Sequence, residues 1–170
     1  VPDVSVVADS IELTPEELQR AEALLPWLEG KQEFWAMGEF VHLGEPVLPV
    51  VTKALAMPGP RIRHNAIETL SMIKSPAAVP ALLDTAKLGT ELPRIREHAL
   101  RVAVRLDPMQ AAPAIEAMAK DANASIRKAA AVESRYVRRK EVIQPLIDLL
   151  GDDERFVALS AVQSLWTLTR

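Results

Sequence analysis

The chain has 170 residues, a net charge of -3 and 49% hydrophobic residues, enough apolar surface to bury a core and to exclude a wholly disordered chain. It has no cysteine, which excludes disulfides, thiolate zinc sites and cysteine nucleophiles. No apolar run approaches about 18 residues, so no membrane-spanning helix is expected.

Charge is unevenly spread. Residues 1–34 hold eight acids and two bases, residues 61–140 hold fifteen bases and eight acids, and residues 141–170 hold five acids and two bases. A basic middle is thus flanked by acidic ends. The absence of cysteine does not decide the compartment; the cytoplasm is preferred here to export. The start at Val1 rather than Met is that of a processed or cropped chain and keeps a cleaved signal peptide open.

Residues 1–13 lack a helical period and read as an extended arm, docked through Val4, Val6 and Val7 or mobile. A helix comes next, with Thr14 as cap, Pro15 at its first position and Glu17 completing a capping box. Leu18, Ala21, Leu25 and Leu28 share one face, and Gly30 is a natural stop. A second helix spans about Gln32 to Leu43, with Phe34, Met37 and Val41 on one side. Residues 14–43 read as a degenerate pair that caps the rest of the chain.

From Pro46 the pattern is regular. Prolines recur at Pro49, Pro80, Pro113 and Pro145. A second comb, Arg63, Arg96, Arg127 and Val157, is followed three residues later by Ala66, Ala99, Ala130 and Ser160. A period near thirty-two residues means a repeat array. First helices (A) are expected over about Pro46–Ala56, Pro76–Leu88, Met109–Lys120 and Glu141–Leu150, each bent by its proline. Second helices (B) are expected over about Arg61–Lys74, Arg94–Leu106, Ser125–Arg138 and Glu154–Thr169. The small residue after each comb position lets neighbouring helices approach closely. The chain then reads as an all-α, right-handed α-solenoid, one domain over 14–170, with repeats at 44–74, 75–107, 108–140 and 141–170.

The paired helices, the A-helix proline and the openings Ile62-Arg63, Ile95-Arg96 and Ile126-Arg127 resemble HEAT repeats, most closely the PBS-lyase HEAT-like subtype. The resemblance implies a solenoid in which B-helix arginines pair with aspartates from inter-helix turns. Asp121 with Arg127 fits that spacing, whereas Asp152 and Asp153 precede Val157, so the ladder reads as incomplete. It also implies a runner-up function, a chromophore-handling module like the bilin lyases whose name the repeat carries.

A solenoid usually binds through the face lined by its B helices. With the comb residue as zero, offsets +3, +4 and +7 face inward with it, and -2, +2, +5 and +9 face away. The outward set is Arg61, Asn65, Glu68 and Met72, then Arg94, His98, Arg101 and Arg105, then Ser125, Ala129, Val132 and Tyr136, then Arg155, Leu159, Val162 and Trp166. Arg94, Arg101, Arg105, Val132, Tyr136, Leu159, Val162 and Trp166 are therefore the candidate partner-binding residues, a basic patch beside an apolar strip. The competing reading makes the strip core, packed on further chain or on a second copy.

Arg135 to Lys140 is the densest basic run, read as a solvated helix end before a phosphate contact, with no acid plainly placed in the basic stretch to serve catalysis. His64 and His98 without a third ligand make a weak metal case. No phosphate loop and no serine–histidine pair is present. The expectation is a non-catalytic scaffold without cofactor or metal that binds a protein or peptide. Nucleic-acid binding and self-association through the last helix stand as alternatives.

Overall fold

The computed structural model describes residues 12–170. Most of the expected N-terminal arm, residues 1–11, lies outside the described residues. The described residues contain ten α-helices and several short 3-10 turns, with no strand. The fold class is the all-α helical-repeat solenoid that the period implies. The described residues divide into two compact units, residues 12–73 and 74–170.

In the first unit, α1 (Pro15–Leu24) starts at the expected capping box. The Glu17 amide donates to Thr14 Oγ1 at 3.2 Å, and the Thr14 amide donates to Glu17 Oε2 at 2.8 Å. A 3-10 turn over Leu25–Leu28 carries the chain on, and Gly30 turns it at φ 84°. Ala21, Leu25 and Leu28 are buried as expected, while Leu18 is exposed. Then come α2 (Glu33–Leu43), α3 (Leu48–Lys53) and α4 (Pro60–Ile73).

The buried face of α2 differs from expectation by a rotation of about one residue. Ala36, Met37 and Phe40 point inward, whereas Phe34 is 75% exposed and Val41 half-buried. The cause is polar. Glu33 is buried, and Arg61 Nε donates to its carboxylate at 2.9 Å and Asn65 Nδ2 at 3.1 Å. The same Asn65 amide donates to the Leu28 carbonyl at 2.7 Å. A buried carboxylate must find donors, and satisfying Glu33 turns the helix with it. The hydrogen bond from Arg61 holds its carboxyl below the usual range against the opposing effect of burial.

The second unit contains α5 (Val79–Lys87), α6 (Pro93–Leu106), α7 (Pro108–Met118), α8 (Ala124–Val137), α9 (Ile143–Leu149) and α10 (Arg155–Leu168). The comb prolines do not bend their helices in the expected way. Pro49, Pro80 and Pro145 come after a 3-10 turn and occupy the second residue of α3, of α5 and, one residue further in, the third of α9. In the first turn of a helix the missing N–H has no intrahelical partner to lose. Of the four, Pro113 alone lies deep inside a continuous helix.

The inward register of the B helices is as expected. Arg96, Ala99, Leu100 and Ala103 are buried on α6, Ala130, Ala131 and Ser134 on α8, and Val157, Ser160, Ala161 and Ser164 on α10. Small side chains bring α8 and α10 within hydrogen-bonding reach. Ser164 Oγ donates to the Ala131 carbonyl at 2.6 Å and accepts from Arg135 Nε at 3.3 Å.

The arginine ladder is displaced by one repeat from the expected pairing. Arg127 donates at 2.9 Å to the backbone carbonyl of Asp121, not to its carboxylate. Its carboxylate partner is Asp152 of the following turn, at 2.7 and 3.1 Å. The Asp121 carboxylate is taken by Arg96 of the preceding repeat. Each of these aspartates therefore serves the arginine behind it, and Asp152 is paired although Val157 holds the comb position of its own repeat.

Asp152 is held below its ordinary value of 3.8 first by the hydrogen bond from Arg127, with burial opposing. Because the folded value is lower, the stabilisation is complete above that ordinary value and is lost as pH falls through the folded one. Asp152→Asn should cost about 2 kcal/mol at neutral pH, between the values for exposed and buried pairs. The exposed Asp153→Asn should stay within about 0.5 kcal/mol. Urea denaturation at pH 7 and again near pH 3 checks both, with the difference between the variants shrinking in acid.

Candidate functional site

The outward register on α6, α8 and α10 puts the candidate residues on the surface of the second unit. Arg94, Arg101 and Arg105 are exposed on α6. Val132 is half-buried on α8, and Tyr136 is 60% exposed. On α10, Leu159, Val162 and Trp166 are each more than half exposed. Leu159, Val162 and Trp166 are thus exposed within this chain. The Arg170 guanidinium stacks 3.4 Å from the Trp166 ring centre, a cation–π contact that covers one face of the indole.

The outward offsets are not equivalent. The +2 position is buried at Asn65 and His98 and half-buried at Ala129. At 200° from the comb residue it was expected in solvent. Asn65 instead lies on the flank of α4 that meets Leu28 and Glu33. In a stack, the flank of one B helix is covered by its neighbour, and only the remaining outward positions see water.

The structure brings part of the candidate set together. Arg101, Arg105, Val132 and Tyr136 line one hollow with Val104, Pro108 and Glu133. Arg94 and the three α10 residues lie outside it.

Glu133, which the sequence did not single out, lies among these arginines. It is 7% exposed and is the single acid lining that hollow among the described residues. Arg101 Nε is 3.8 Å from its Oε1, too far for a hydrogen bond. Burial pushes its carboxyl up from the usual value, opposed by the charges of Arg101, Arg105 and Arg135. At offset +6 from Arg127 it belongs to neither the inward nor the outward set, so helical phase gave no warning of it.

Sequence reading also passed over the first unit. Trp27 and Trp35 are half-exposed and line a hollow between α1 and α2 with Leu24 and Leu43. Phe34 and Met72 flank a second one beside Gly38. The concentration of two of the three tryptophans in this unit was the available signal.

The run Arg135–Lys140 is a helix end, as expected. Arg135 is half-buried against Ser164, Arg138 closes α8 in the left-handed region at φ 52°, and Arg139 pairs with Glu141 at 2.9 Å.

The raised Glu133 has a definite sign in stability. Its penalty is absent in acid, where both folded and unfolded states are protonated. It grows as pH rises from its ordinary value of 4.5 through the higher folded one. Glu133→Gln, which keeps the shape, should therefore raise stability at pH 7 and leave it nearly unchanged at pH 4. Paired urea titrations at the two pH values read this directly; an equal effect at both would refute it.

Comparison with known proteins agrees with the helical-repeat fold. The family model for HEAT repeats matches residues 85–166, and that for the PBS lyase HEAT-like repeat matches residues 62–87. No curated protein matches the chain. Among solved structures, a chain of the complex of CpcE and CpcF of phycocyanin lyase from Nostoc sp. PCC7120 is similar, with a TM-score of 0.66 and 20% identity over 89% of this chain and 99% of that one. An engineered protein matches with a TM-score of 0.48 and 15% identity over 88% and 79%. At 20% identity the likeness to the CpcE and CpcF chain is one of fold. The chain carries HEAT repeats, including one of the PBS lyase HEAT-like type, and is a HEAT-repeat protein.

Proposed function

We propose that this chain is a non-catalytic HEAT-like adaptor whose second unit binds a partner protein through the outward face of α6, α8 and α10. The observation that carries this reading is the exposure of Tyr136, Leu159, Val162 and Trp166 beside exposed Arg94, Arg101 and Arg105. Apolar side chains grouped in water and rimmed by arginine are the composition of an interface core, and Trp, Tyr and Arg are the residues that most often carry its energy. The similar solved structure is itself of a two-protein complex, which supports a protein as the partner. A nucleic acid is a poorer fit, because the chain has a net charge of -3 and the strip on α10 is apolar.

A second reading has its own support. The PBS lyase HEAT-like repeat and the likeness to a phycocyanin lyase chain favour a module that handles a bilin. The chromophore-bearing cysteine would belong to a client, so the absence of cysteine here is no obstacle.

Trp166→Ala should reduce retention of partner proteins from native extract at least about tenfold, since hot-spot truncations cost more than about 1.4 kcal/mol. The melting temperature should stay within about 2 °C, because the ring is exposed. Pull-down with quantitative mass spectrometry beside a thermal melt distinguishes this from a structural role, which would lower the melting temperature. For the second reading, adding free bilin should change its visible absorption and saturate at one equivalent; an unaltered spectrum removes that reading.

A further inference from the structure

The hollow between α6 and α8 has a charge imbalance that narrows the kind of partner. Arg101 and Arg105 line it, and Arg135 is near enough to act on the same carboxylate. Against these three guanidinium groups stands one acid, Glu133. Arg105 makes no hydrogen bond or ion pair among the described residues, and Arg101 reaches Glu133 only at 3.8 Å. Two positive charges are thus left over beside an exposed Tyr136. A carboxylate is a natural counter-ion, because guanidinium presents paired donors that match its two oxygens.

Glu133 adds a second requirement. Its side chain is less than a tenth exposed and takes no hydrogen bond among the described residues, and its carboxylate oxygens keep contact with water in the hollow that they line. An acceptor aimed into a hollow can take a donor from a bound ligand in place of water. In surroundings that carry excess positive charge, a cationic donor is disfavoured and a neutral N–H is preferred. An extended polypeptide offers both groups: acidic side chains at alternate positions, and free backbone N–H groups between them.

We propose that the α6–α8 hollow binds an acidic, extended segment of a partner protein, with its carboxylate on Arg101 and Arg105, a backbone N–H on Glu133 and a neighbouring apolar side chain against Tyr136 and Val132. This rests on the partner-binding reading above and gives that partner a chemistry.

The test tracks the Arg101 and Arg105 Nε–H signals of the full chain by NMR as an N-acetylated peptide of alternating Glu and Leu is added. Saturable shifts that weaken with salt are expected, and the matching peptide of Gln and Leu should leave these signals in place. Arg105→Gln should weaken binding roughly tenfold or more, the value of one charge-assisted hydrogen bond, without changing the melting temperature. Glu133→Gln keeps an acceptor and Glu133→Leu does not, so the first should bind roughly threefold or more tighter than the second. Equal affinity of those two variants overturns the role of Glu133. Equal shifts with both peptides overturn the acid preference while leaving the apolar strip, which the Trp166 experiment tests separately. Absence of any shift overturns the inference. A single-stranded DNA oligonucleotide that binds more tightly than the peptide overturns both this inference and the protein-partner reading.

Discussion

The relay of guanidinium and carboxylate in the second unit is the constraint on which its repeat geometry depends. Arg96 and Arg127 are anchored at one end by carbonyls of their own repeat and at the other by an aspartate one repeat further on. An arginine bonded on both sides fixes the distance and angle between successive helix pairs. Hydrophobic burial alone is non-directional and leaves such an angle loose. The small residues at Ala99, Ala130 and Ser160 then allow the close approach that the relay requires. With the helices held at that spacing, outward residues of α6, α8 and α10 reach the surface of the unit.

That surface is where the repeats stop being equal. The comb positions are bound to structure, so variation is free only on the outward side. Arginine dominates it on α6, and apolar and aromatic side chains dominate it on α10. Glu133 lies at the seam between these two characters. It takes no hydrogen bond among the described residues, and its carboxylate faces the hollow that Arg101 and Arg105 also line.

In the first unit the comb arginine is anchored in the same way, with Arg63 donating to the Met57 and Pro58 carbonyls at 2.9 and 2.8 Å. A further polar group is added there by Glu33, which draws in Arg61 and Asn65. On the rotated α2, Phe34 and Trp35 face water, and Trp27 on the preceding turn is half-exposed as well.

Much of this was legible from residue order. The helix-pair period, the capping box at Thr14 and Glu17, and the inward set at offsets +3, +4 and +7 are local or strictly periodic properties, and helical geometry converts them directly into position. The outward exposure of Tyr136, Leu159, Val162 and Trp166 comes from the same phase. Four things were not legible: the forward step of the ladder, the rotation of α2, the burial of Asn65, and the placing of Glu133 among arginines. Each depends on which side chain of a distant segment arrives at a given point. The sequence by itself therefore determined the repeat, its helices and the faces they present. Only the tertiary structure decided the polar partners, because charges choose among all the groups that packing brings within reach, and that choice carries no periodicity.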